Sequence, residues 1–361
     1  MKSGRTRENY RTVSEKSVNE ESSGLNKRLM IIQILVFLAG FALLIYLIYK
    51  TGFYTVYNII SQIGWYFFII VLLNGLRHFL RAWCIYLTVP PATRFFKYKN
   101  ALAARLGGEA ISFITFTGPF LGDATKAALL KKHIPLSQSG AAIIIDDVIY
   151  YISVVMLILS GIGILSLSYI NNNVMKMVLL AVSVGSFAIF AGIFLLIRFR
   201  IKPLSFVIKK LSRKNLIPKF ILKQKDWIYE LERNVYQMYL HRRPTFFAVF
   251  GINLLAHIFS IIEVYTALRL LGFLTTIKVA YIIEALTKVI NFSFSFVPGA
   301  VGVYEGGNGL ILKTLGFTTA VGVALALVRR GSIFFWTFIG LLVLLWRSIS
   351  RSTGKISKRL S

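Results

Sequence analysis

Long apolar stretches alternate with short polar ones from residue 30 to residue 346, and this alternation predicts an all-α polytopic membrane protein. Six stretches, 30–49, 65–88, 141–170, 174–197, 245–271 and 318–346, approach or exceed the roughly 20 residues a helix needs to cross hydrocarbon. Two more are apolar but interrupted. Residues 101–132 are cut by Gly107, Gly108, Gly118, Pro119 and Gly122, and residues 279–316 by Pro298, Gly299, Gly302, Gly306 and Gly307. Neither will hold one continuous helix, so each predicts a re-entrant or broken pair of half-helices. Irregular backbone at membrane depth is tolerated only where protein buries it or a watery cavity receives it.

The charges between the stretches set the expected topology. The chain carries a net charge of +28, and Lys and Arg collect in the short polar segments, as in cytoplasmic loops facing anionic lipid. Residues 198–243 hold thirteen Lys or Arg against three acids, the strongest inside marker. The reading has a polar cytoplasmic tail (1–29), a transmembrane domain (30–346) and a basic cytoplasmic tail (347–361). It has six full crossings, two broken units and both termini in the cytoplasm, which places the chain in the cytoplasmic (inner) membrane. The first apolar run starts only at Met30 and lacks a cleavage site, which argues against a cleavable signal. Within the basic loop, Trp227, Leu231, Val235 and Met238 fall at helical spacing, fitting a helix on the membrane surface or one packed beneath the bundle. A single cysteine, Cys84, excludes an internal disulfide and a Cys-based zinc cluster.

A shift of about 180 residues gives a faint self-match. Asn74 and His78 recur as Asn253 and His257; at a slightly larger offset Asp123 falls on Glu305, Lys131 on Lys313 and Gly140 on Gly322. The copies, about 65–197 and about 245–346, start on opposite sides of the membrane, the inverted repeat of alternating-access carriers.

An ionised carboxylate inside a membrane needs a cation, a proton or water, and is a functional-site candidate by default. Glu109, Asp123, Asp146, Asp147, Glu263, Glu284 and Glu305 are such acids; Arg77, Arg81, Arg105, Lys126, Lys288, Lys313, Arg329 and Arg330 are candidate partners. Glu284 and Lys288, four apart, predict a local structural pair. Asp123 and Glu305 each follow a glycine-containing break and are read as functional, with neutralisation by Arg329 or Lys126 as the structural alternative. The expected substrate path comprises Asp123, Glu305, Gly122, Pro298, Gly302, Glu109, Arg105, Lys126 and Arg329. The glycines also serve close helix contact through Gly118 with Gly122 and Gly302 with Gly306. His78 and His257 read as bundle-facing polar contacts. No metal is expected, since no ligand spacing is present, and no cofactor, since the glycines of PGAVGVYEGG lack the Lys-Ser/Thr of a phosphate loop.

The stretch GDATKAALLKK followed by an acid-bearing helix, together with PGAVGVYEGG, resembles the flippase-like, lysylphosphatidylglycerol synthase transmembrane-region family over residues 30–346. The resemblance implies likeness to the membrane half of bacterial multiple-peptide-resistance proteins, which moves aminoacylated phospholipid between leaflets while a separate soluble half makes it. Other members are implicated in hopanoid or glycolipid handling. It carries Gly122, Asp123, Pro298, Gly302 and Glu305 over as site residues. Where such proteins commonly have Asp-Arg after the first motif, this chain has Asp146-Asp147.

The leading expectation is a translocase for a phospholipid or lipid-linked molecule. It is not expected to be an enzyme: only a short basic tail follows Trp346, and a lysyltransferase label would be inherited from longer relatives with the soluble synthase domain. The alternatives are a membrane scaffold regulating lipid modification and an intramembrane head-group transferase with an Asp or Glu base. Expected partners are membrane lipids (anionic or aminoacylated phospholipid, glycolipid or hopanoid-type lipid) and a homodimer mate, with no nucleic acid.

Overall fold

The structure is a computed structural model. It describes residues 52–169 apart from 92, 93, 95, 116–118 and 132, residues 240–360 apart from 296, and scattered positions within 42–49 and 177–237. The expected helices at 30–49 and 174–197, Gly118, and most of the basic loop with its surface helix lie outside the described residues.

Among the described residues nine α-helices follow in order: α1 (Phe53–Ser61), α2 (Phe67–Thr88), α3 (Tyr98–Ile114), α4 (Pro119–Leu130), α5 (Leu136–Tyr169), α6 (Arg243–Leu270), α7 (Ile277–Ser293), α8 (Val303–Thr314) and α9 (Thr319–Leu360). Among the described residues four spans are long and apolar enough to cross a membrane: Gly64–Thr88, Gln138–Tyr169, Arg243–Leu270 and Thr319–Arg347. They coincide with the four described crossings expected from the sequence.

Both interrupted stretches fold as helix pairs. After Ile114 the backbone turns extended at Thr115, and α4 restarts with Pro119 at its first position, where a missing N–H costs nothing. The second pair opens with Thr276, whose side chain accepts the Val279 N–H, and breaks after Ser293. A single 3₁₀ turn, Pro298–Ala300, follows before Gly302 caps α8. Gly302 sits at φ 77°, which a side chain rarely tolerates.

The duplication is visible in lengths and packing. α3 and α7 each have 17 residues, and α4 and α8 each have 12. α2 packs on α6, and the other neighbours exchange in pairs: α3 meets α9 as α7 meets α5, and α2 meets α9 as α6 meets α5. The equivalent helices α2 and α6 run antiparallel. Cys84 donates to the Val249 carbonyl, Arg81 to Asn253 and Arg77 to Glu263, so the partner number falls on α6 as it rises on α2. The two halves are thus copies of opposite sense. An apolar core of α6–α9 residues (Ile261, Leu268, Ile283, Leu312, Leu325) fills the second half, and Ile85, Ala101, Ala104, Leu130 and Ile143 fill the first.

Candidate functional site: two strings of buried charge

Glycines set the α3–α4 hairpin. A Cβ on Gly122 would lie 2.8 Å from the Gly108 carbonyl and 2.7 Å from the Ser112 Cβ, so the helices meet backbone to backbone. The Lys126 stem crosses the face of Gly108. This brings the Lys126 ammonium to 2.7 Å from Asp123 and 3.5 Å from Glu109, while Arg105, one turn before Glu109, pairs with it at 2.9 Å. Asp147 on α5 lies beside Asp123, and Arg81 on α2 reaches Asp147 at 3.4 Å and Asp146 at 3.2 Å. The first half therefore holds a string running Arg105, Glu109, Lys126, Asp123, Asp147, Arg81, Asp146.

The second half holds another. Lys288 pairs with Glu284 at 2.9 Å, Glu284 with Arg329 at 2.9 Å, Arg329 with Glu263 at 3.1 Å, and Glu263 with Arg77 at 3.0 Å. Ser260 donates to Glu284 at 2.6 Å. Separately, Arg330 clasps the α7–α8 break: it pairs with Glu305 and donates to the carbonyls of Gly299 at 2.9 Å and Ala300 at 3.4 Å. Glu305 also accepts the Gly302 N–H at 2.8 Å, the N3-to-N-cap arm of a capping box. Every carboxylate in the described helices is thus matched to a cation, as burial in a low-dielectric interior demands.

Aligned from their first residues, the equivalent helices carry these charges with the sign reversed. Arg105 and Glu109 of α3 stand where α7 has Glu284 and Lys288, and Asp146 and Asp147 of α5 stand where α9 has Arg329 and Arg330. The strings differ in access. The side chains of Glu109 and Asp123 are 36% and 31% exposed, whereas those of Glu263, Glu284 and Glu305 are sealed.

Of the residues expected in the substrate path, Arg105, Glu109, Gly122, Asp123 and Lys126 come together on the first hairpin. Pro298, Gly302 and Glu305 gather at the second break. Arg329 joins neither group; it binds Glu263 and Glu284, and its neighbour Arg330 takes Glu305. The Glu284–Lys288 pair forms as expected. His257 meets Ser153 at 3.0 Å and stacks on Tyr150, and His78 packs on Trp336. Asn253 entered the sequence reading only through the repeat and not as the partner of Arg81, and Ser260 not at all, because a neutral polar residue in an apolar helix carries no charge signal. Among the described residues no group of three or more His, Cys, Asp or Glu is placed to hold a metal.

Antiparallel halves, four described spans and interior ion strings define a multi-pass helical membrane protein built on an internal duplication. A family model described as "Lysylphosphatidylglycerol synthase TM region" matches residues 30–340, and the chain belongs to that family. No curated protein and no solved structure matches it.

Proposed function

We propose that the chain is a translocase that carries the head group of a phospholipid or lipid-linked molecule across the cytoplasmic membrane, with both termini in the cytoplasm. The observation that carries the reading is the half-exposed string on the α3–α4 hairpin. Glu109 and Asp123 are each about a third exposed while Lys126 and Arg105 pair with them from largely buried positions, so cationic and anionic parts of a head group both find partners. The antiparallel duplication supports it, since carriers of this architecture place substrate where broken helices of inverted repeats meet. The family's membrane region supports a lipid-related role. In this reading Asp123, Glu109, Lys126 and Arg105 contact the head group, the acyl chains stay in lipid, and the second break, closed by Arg330, is the sealed side. No covalent step is assigned, and the chain acts without a cofactor.

The test is reconstitution into liposomes with fluorescent phospholipids differing in head-group charge, reading loss of leaflet asymmetry. Wild type is expected to speed exchange of at least one, and the Glu109→Gln, Asp123→Asn double variant to slow it at least tenfold. Equal traces from wild type, variant and empty liposomes for every lipid would remove the reading.

A further inference from the structure

A second site lies at the end of the bundle that the basic segments mark as cytoplasmic. Between the C-terminus of α2 and the start of α3 a cleft of about 580 Å³ is lined by Arg94, Phe96, Lys97, Lys99, Asn100 and His133. Among the described residues Arg94, Lys97 and Lys99 form no ion pair with an acid. The segments whose described residues meet at this end, 85–108, 124–145, 240–262 and 340–360, contain no Asp or Glu, and the basic loop 198–243 beside them holds thirteen Lys or Arg against three acids.

The cleft has fixed walls. Arg94 donates to the carbonyls of Leu87 at 3.2 Å and Val89 at 2.8 Å, and its guanidinium lies 4.5 Å from the centre of the Tyr86 ring. Arg242 donates to the Thr88 carbonyl at 2.9 Å and to that of Leu87 at 2.8 Å. Two guanidinium groups therefore crowd the same helix end, and the buried Nε of Arg94 has no acceptor among the described residues. Across the cleft Arg347 fixes Asn100 at 2.8 Å.

Clustered cations repel one another, and a multivalent anion lowers that cost. The aromatic surround says where the anion sits. Trp83, Tyr86, Tyr98 and Phe96 form a chain of ring contacts beside the cleft, and Trp83 is 44% exposed. Half-exposed Trp and Tyr of this kind mark the head-group level of a bilayer.

We propose that this cleft binds a phosphate group, presented by an anionic phospholipid of the adjoining leaflet, as a site separate from the α3–α4 ion string. Lys97 and Lys99 supply the mobile charges, Asn100 a fixed polar contact, and Arg94 and Arg242 the underlying positive field. The site does not depend on whether the protein moves lipid.

The full chain in a neutral detergent is titrated with dioctanoyl phosphatidic acid, dioctanoyl phosphatidylcholine and inorganic phosphate, reading thermal unfolding and tryptophan fluorescence. Phosphatidic acid is expected to bind and raise Tm, phosphatidylcholine to bind at least tenfold more weakly, and the Lys97→Gln, Lys99→Gln pair to weaken phosphatidic acid at least tenfold. The Lys278→Gln control, at a distant cation over Tyr169, is expected to bind as wild type. Protection by inorganic phosphate alone would support the site with a soluble ligand and overturn the lipid source. Should the double variant not fold, the single Lys97→Gln and Lys99→Gln variants carry the test. Equal binding by wild type and the lysine variants, or none by wild type, overturns the proposal.

Discussion

Asp147 and Arg330 occupy the same place in the two halves, each the twelfth residue of its helix, and they carry opposite charge. Arg330 turns its charge onto a broken backbone and closes it; Asp147 faces Arg81 on one side and Asp123 on the other. One duplicated position thus serves as a latch in one half and as a link in an accessible string in the other.

The latch is expected to matter for stability. Arg330→Ala leaves Glu305 charged in a sealed interior with one backbone N–H, and breaking such a pair costs about 3–5 kcal/mol. Thermal unfolding in detergent should show a large fall in Tm, with part of it regained when Glu305→Gln is added. A fall undiminished in the double variant would mean that Arg330 acts through the Gly299 and Ala300 carbonyls instead.

Close approach at the first hairpin gives a separate expectation. Gly122→Val forces α3 and α4 apart against the Gly108 carbonyl, and overpacking of this kind costs about 1–3 kcal/mol. The shift moves Lys126 away from Glu109, so the variant should lose exchange activity in proteoliposomes as well as stability. Retained activity with lowered Tm would separate the string from the hairpin geometry.

Asp123→Asn is expected to spare the fold, because a third of its side chain is already exposed. Circular dichroism and Tm should stay near wild type while lipid exchange falls. A variant that unfolds would mark Asp123 as structural.

Arg77 and Glu263 are expected to be energetically coupled, since removal of either leaves the other short of a partner. A double-mutant cycle with Arg77→Gln and Glu263→Gln should give about 0.5–3 kcal/mol of interaction energy, read from unfolding. Zero coupling would mean that Arg329 alone satisfies Glu263.

Much of the fold was legible in the sequence because its signals are local. Length and hydropathy place the four described spans, and Pro119, Pro298 and Gly302 place the breaks. The self-match of Asn74 and His78 with Asn253 and His257 identified helices that turned out to pack against each other in opposite directions. Partner choice was not legible. Arg329 and Arg330 are adjacent letters, but successive residues on a helix point about 100° apart, so one reaches Glu263 and Glu284 and the other Glu305. Nor does sequence show that Glu109 and Asp123 are partly exposed while Asp146 and the acids of the other half are sealed, since access depends on how the hairpins pack.

Among the ion pairs of the described residues, only Arg77–Glu263 joins the two halves; every other one is internal to its own. If one half tilted against the other, each would take its cations and anions along as an electrically closed package. The ion-pair toll of such a movement then falls on Arg77–Glu263, beside the arginine hydrogen bonds Arg81–Asn253, Arg242–Thr88 and Arg347–Asn100 that also cross the seam. Altering the Arg77–Glu263 pair therefore shifts the energetic asymmetry between an outward and an inward posture while leaving the pairs within each half intact.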